Sequence, residues 1–210
     1  MTSTTRIRPR NLLLRLLDKL ELPRTPGWMF LEGFIKHPVM VGSIIPSSDK
    51  LIAHMLAPVD WSRTKLFVEY GPGVGTYCRP ILERLPADAT LIAIDTNPDF
   101  IGYLADDIRD SRFVPVLGSA ADVERIIAEH GFAHADYILS GLPFSTLPAG
   151  LGDAIAAATF RALADDGAFL VYQFSPKVRD FIEPHAARLE HAMEWWNVPP
   201  CQLYWGYKSA

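Results

Sequence analysis

Residues 65–75, KLFVEYGPGVG, constrain the fold more than any other stretch of this chain. A short apolar run of strand character ends in three glycines at alternate positions, Gly71, Gly73 and Gly75, before helical pattern resumes. Glycine lets the backbone turn sharply and lets a ligand approach it closely. The same rhythm then repeats. RPILERL leads into TLIAID, FIGYLADDI into RFVPVLG, ADVERIIAEHG into DYILSGLPF, and LGDAIAAATFRAL into GAFLVYQFS. Short apolar strands alternating with amphipathic helices predict an α/β protein with a doubly wound, mostly parallel sheet. Beyond Lys177 the rhythm breaks. KVRDFIEPHAARLEHAMEW reads as helix, and WNVPPCQLYWGYK as two final strands joined at Pro199-Pro200.

The front of the chain differs in kind. Residues 1–24 carry a net charge of +4 in a chain whose total is −4, so residues 25–210 carry −8. Leu12, Leu13, Leu16, Leu17 and Leu20 fall on one helical arc, with Arg15, Asp18, Lys19 and Glu21 opposite. Residues 22–48 are rich in proline, glycine and aromatics and read as an ordered connector. PSSDKLIAHML then predicts a helix capped by Ser47 or Ser48, with Asp49 in its first turn. The organisation expected is an amphipathic helix with connector over 1–37 and one α/β domain over 38–210. A hydrophobic content of 49% suffices for its core.

Several classes are disfavoured. The apolar runs fall short of the roughly 18–20 residues of a membrane span, and charges interrupt the N-terminal leucines of any signal peptide. Two cysteines, Cys78 and Cys201, form no CxxC pair, and the histidines form no HExxH motif. No bound metal is expected. The chain reads as cytosolic, with a front end suited to surfaces.

The glycines are spaced GxGxG, not the GxGxxG of dinucleotide-binding turns. Glu69 stands just ahead, and this E-x-G-x-G-x-G pattern resembles motif I of class I S-adenosylmethionine-dependent methyltransferases. Asp95 ends the next strand, 20 residues after Gly75. A carboxylate there can accept from both hydroxyls of a ribose; Thr96 follows it. In such methyltransferases the third strand's end serves the adenine, a role falling here to Ser119 and Ala120, with Asp122 close by. Glu69 would lie near the methionine amino group. The fourth strand ends in Ser140-Gly141-Leu142-Pro143-Phe144, which resembles the N/D-P-P-Y/F motif of amine methyltransferases with serine in place of Asn or Asp. Phe144 would orient the amine, or else serve as core packing behind a plain turn. Tyr172, near the carboxyl edge of the fifth strand, is a further candidate for the acceptor site. Phe144, Tyr172, Tyr204 and Trp205 are candidates to hold a methylated cation by its charge on their rings.

From Pro38 to Tyr207 the chain resembles the bacterial phospholipid N-methyltransferases, relatives of the rRNA adenine dimethyltransferases. GSIIPSS (42–48), VEYGPGVG (68–75) and SGLPFSTLP (140–148) carry the resemblance. It implies a class I methyltransferase Rossmann-like fold with an antiparallel last strand, S-adenosylmethionine as cofactor, and Ser48 as a further cofactor contact. It also implies stepwise methylation of phosphatidylethanolamine towards phosphatidylcholine, by an enzyme held at the inner face of the cytoplasmic membrane. The N-terminal helix would then dock on anionic lipid through Arg8, Arg10, Arg15 and Lys19, with Leu13, Leu16, Leu17 and Leu20 inserted. The same helix can instead pack its leucines on the fold. An RNA adenine methyltransferase is the alternative, though the −8 over residues 25–210 argues against a nucleic-acid partner. A non-catalytic S-adenosylmethionine-binding module at the membrane is the other.

Overall fold

A computed structural model describes residues 49–195 and 200–209. The N-terminal helix, the connector, the GSIIPSS segment and Ser48 lie outside the described residues.

Seven strands form a single sheet: β1 (Leu66–Tyr70), β2 (Thr90–Asp95), β3 (Phe113–Leu117), β4 (Ala135–Ser140), β5 (Leu163–Gln173), β6 (Arg188–Glu194) and β7 (Cys201–Tyr207), in the order β3-β2-β1-β4-β5-β7-β6. The first five run parallel, and β7 lies antiparallel between β5 and β6. Chain order reverses between β1 and β4, the place where open α/β sheets bind ligands at the carboxyl ends of their strands. The helices are α1 (Asp49–Leu56), α2 (Cys78–Leu82), α3 (Pro98–Asp107), α4 (Val123–Glu129), α5 (Leu151–Ala162) and α6 (Val178–Ile182). None of the described helices is long and apolar enough to cross a membrane.

Burial explains the strands. All five residues of β1 are buried, as a central strand with both faces covered requires. One core packs α1, α2 and α3 against Phe67, Leu91 and Leu170; the other packs α4, α5 and α6 against Val68, Ile92 and Phe169. Local chemistry sets the ends of elements. Asn97 caps α3 by accepting from the Asp99 amide at 2.9 Å, with Pro98 at the first helical position. Asp136 accepts from the amides of Lys65 and Leu66 at 2.6 and 2.8 Å, fastening the start of β1. The Trp205 indole donates to the Met55 carbonyl at 2.9 Å and holds α1 against β7.

The tail departs from the sequence reading. Helix covers only Val178–Ile182, and RLEHAME is an edge strand paired with β7 along its whole length. The final strands are thus Arg188–Glu194 and Cys201–Tyr207, not a pair joined within WNVPPCQLYWGYK. Pro184 stands just past the C-cap Glu183 of the short helix, where proline cannot continue it. Ala, Leu, Glu and Met favour helix intrinsically, but ladder pairing with β7 outweighs tenths of a kcal/mol per residue. As an edge strand, β6 also carries polar groups on both faces, which hides its alternation.

Candidate functional site

Three loops at the carboxyl edge are stitched to neighbouring strands. Gly71 donates its amide to Ile94 of β2 at 2.9 Å, Gly118 to Asp95 at 2.9 Å, and Gly141 to Tyr70 of β1 at 3.1 Å. The loops after β1, β3 and β4 therefore form one row along the carboxyl edge, from the outer strand β3 to β4. Gly71, Gly73 and Gly75 all have positive φ, +64°, +55° and +82°. Their surroundings separate them. A Cβ on Gly71 would meet the Leu142 side chain at 2.9 Å and one on Gly75 the Leu104 side chain at 2.7 Å, whereas one on Gly73 would meet nothing within 4 Å. The outer two glycines serve packing, and the middle one leaves backbone facing open space.

Glu69 is 1% exposed. Its carboxylate accepts from the Cys78 thiol at 3.0 Å. Burial pushes Glu69 up to about 7, the thiol's hydrogen bond opposes this, and the Asp95 charge adds to it. Burial and the neighbouring Glu69 in turn push the Cys78 thiol upward. Half-buried Asp95 accepts from the Asn97 amide at 2.8 Å. Burial raises its carboxyl, while the amides of Asn97, Gly73 and Thr96 pull it back. Thr96 is exposed beside it. Opposite Asp95 in the β2–β3 register stands Leu117, 57% exposed. Ser119 caps the turn that follows, accepting from the Ala121 amide at 3.2 Å, and Ala120 is buried. Asp122 turns instead to Arg125 at 3.6 Å.

The loop after β4 is held from beneath. Ser140 is fully buried, and its hydroxyl accepts from the Leu142 amide at 3.2 Å. The Gln173 side chain donates to the Leu142 carbonyl. A Cβ on Gly141 would lie 2.3 Å from the Tyr172 hydroxyl, so only glycine fits there. Tyr172 stacks on Tyr77 with ring centroids 4.7 Å apart. Burial, reinforced by Tyr77 and Glu69, pushes the Tyr172 phenol well above its ordinary range. Tyr172 thus touches both the loop after β4 and the surroundings of Glu69. Phe144 is 2% exposed and lies against Phe169 and Phe181, at 6.4 and 5.5 Å between centroids. Within this motif it is Leu142 that reaches the glycine turn. Tyr204 and Trp205 are buried, with their polar atoms on Gln202 and the Met55 carbonyl.

Sequence reasoning gave no role in the site to Cys78, Tyr77, Leu117, Leu142 and Gln173. Leu117 had a signal, an apolar residue ending a strand at the ligand edge. The others depend on contacts across the sheet. His130 and His134 stand four apart, but α4 ends at Glu129 and Gly131 takes φ +85°, so they share no helical face. No group of His, Cys, Asp or Glu among the described residues could hold a metal ion.

No family model matches this chain. It is 28% identical over 179 residues to the ornithine lipid N-methyltransferase of Singulisphaera acidiphila, covering 84% of this chain and 93% of that protein. The N-methyltransferase NodS of Bradyrhizobium japonicum superposes with a TM-score of 0.62 at 13% identity, over 79% of this chain and 98% of the other. The 1,6-didemethyltoxoflavin-N1-methyltransferase of Burkholderia thailandensis, solved with S-adenosylhomocysteine bound, superposes with a TM-score of 0.62 at 15% identity, over 100% and 94%. The fold is that of the class I methyltransferases, and over most of its length the chain is similar in sequence to a lipid N-methyltransferase.

Proposed function

We propose that this protein transfers methyl groups from S-adenosylmethionine to the amine of a membrane lipid, phosphatidylethanolamine and its partly methylated forms. One observation carries the reading. The open backbone at Gly73 lies between two carboxylates in a chain similar to a lipid N-methyltransferase over 84% of its length. The residues fit that cofactor. The space above Gly73 admits a ligand against the backbone, Asp95 offers an acceptor for ribose hydroxyls, and Glu69 offers a carboxylate to an ammonium. Thr96, Ser119 and Ala120 line the adenine end, with Leu117 as an apolar platform. When bound, S-adenosylmethionine supplies an electrophilic methyl group.

The chain's own share is positioning. Methyl transfer needs a neutral amine in line at about 3–3.5 Å. The loop Ser140–Phe144, fixed by Gln173 and Tyr172, forms a rigid wall against which the amine can be held in line. The ammonium must lose a proton before attack. Its partial desolvation at this edge favours the neutral form, and water takes the proton. Residues 8–22 would hold the enzyme on anionic lipid, beside its substrate.

The test uses labelled S-adenosylmethionine with phosphatidylethanolamine vesicles, ornithine-lipid vesicles or RNA, for the full chain and one lacking residues 1–22. Label in phosphatidylethanolamine, lost with vesicle flotation on truncation, is the expected result. Label in ornithine lipid alone would change the substrate, label in RNA alone would overturn the lipid reading, and a truncated chain that still floats would free the helix of its docking role.

A further inference from the structure

A cleft of about 240 Å³ opens beside the loop after β4. Phe144, Leu147, Pro148 and Phe181 form its apolar walls, and Asp153 and Lys177 are its charged lining residues. It is built by the two loops that leave β4 and β5 at the ligand edge and by the α5 and α6 helices they lead into, so its wall is continuous with the loop assigned above to the amine.

Lys177 differs from the other cations. Arg63, Lys65, Arg79, Arg109, Arg112, Arg125, Arg161, Arg179, Arg188 and Lys208 all pair with carboxylates, and Arg84 donates to the Pro80 carbonyl. Lys50 has a partner as well. Among the described residues, Lys177 is the one lysine or arginine whose side chain has none. It is exposed at an otherwise largely apolar cleft, and Asp153 in the first turn of α5 balances its charge without bonding to it.

Resting on the lipid-amine reading, we infer that this cleft is the headgroup subsite and that Lys177 binds the acidic group of a zwitterionic amino lipid. That group is an anion a few bonds from the amine, either the phosphodiester of a phosphoglyceride or the carboxylate of an amino-acid lipid. An ammonium is a strong point-charge donor to either. The lining sums to zero charge, which suits a zwitterion and gives a net-anionic lipid no second cation. Pockets that enclose a drug-sized ligand run to about 300–1,000 Å³, so this cleft holds the headgroup and the start of one chain. Phe144 then has a part besides core packing, since it also lines this cleft.

The test is steady-state methylation by the full chain, with vesicles of phosphatidylethanolamine and of ornithine lipid as the two sources of the anion. Lys177→Gln should raise KM for the lipid that is turned over by about tenfold, the effect of 1.4 kcal/mol. The variant's kcat and its KM for S-adenosylmethionine should stay unchanged, and Lys177→Arg should restore most of the loss. Dependence on Lys177 with phosphatidylethanolamine identifies the phosphate, and with ornithine lipid the carboxylate. An unchanged lipid KM overturns the inference, as does a KM for S-adenosylmethionine that rises in step, or failure of arginine to restore it. A wild-type protein that binds S-adenosylhomocysteine but methylates neither lipid would overturn the lipid-amine reading itself, and the subsite with it.

Discussion

The ends of β1 and β2 bury a carboxylate, Glu69, beneath a glycine turn that is open at Gly73, whereas the ends of β4 and β5 brace a loop with side chains from the sheet below. At the first region a Cβ on Gly73 would meet nothing within 4 Å, and the buried Glu69 carboxylate has a thiol for a partner. At the second, the Ser140 hydroxyl serves the Leu142 amide, Gln173 serves the Leu142 carbonyl, and the Phe144 ring lies in the core. The first region holds a buried carboxyl in a costly state beside open backbone, as a preformed cofactor receptor would; the second is a loop braced from below. A cofactor common to many enzymes can be met by fixed groups, while an amine acceptor needs mainly to be held in place.

The contrast can be broken first at Phe144. If the ring braces the acceptor loop, Phe144→Ala should cost about 3–5 kcal/mol of stability, as large-to-small core changes do. Methyl transfer should fall more than cofactor affinity. Denaturant midpoints measure the first effect and turnover the second. Unaltered stability with lost turnover would move Phe144 from brace to substrate contact.

Glu69 sharpens the other half. Its carboxyl titrates at about 7 in the folded protein against an ordinary 4.5. As pH rises through that window the unfolded chain releases this proton before the folded one does, so the native state loses stability. By pH 8 the loss is about 3 kcal/mol, at 1.36 kcal/mol per pH unit. Glu69→Gln should therefore stabilise the free protein by up to about 3 kcal/mol at pH 8, and the gain should vanish near pH 4.5. Thermal unfolding at the two pH values tests this. A gain that does not vary with pH would show that the carboxyl never carries the burden assigned to it.

Legibility in the sequence followed the same division. Glycine spacing and a strand-ending aspartate are local signals, so the placement of Glu69, Gly71, Gly73 and Asp95 at the ends of β1 and β2 could be read residue by residue. The parallel core was legible because buried strands are continuously apolar. β6 was not, since RLEHAME has helix-forming composition and becomes strand only by pairing with β7. The underpinning of the acceptor loop was also invisible. Tyr172 and Gln173 lie 31 positions beyond Gly141 and Leu142, and only the sheet brings them together. Lys177 looked like any surface lysine until its neighbours' charges were paired off.

A cofactor site at the carboxyl ends of β1 and β2 requires binding that draws on Asp95 and not on the loop after β4. Calorimetric titration of S-adenosylhomocysteine into the wild type, Asp95→Ala and Phe144→Ala tests this directly. Removing a charged hydrogen-bond acceptor costs about 1.5–3 kcal/mol, so Asp95→Ala should weaken binding roughly tenfold to a hundredfold. Folded Phe144→Ala should bind as the wild type does. Undiminished affinity in a folded Asp95→Ala variant would contradict the cofactor site, and with it the methyltransferase reading.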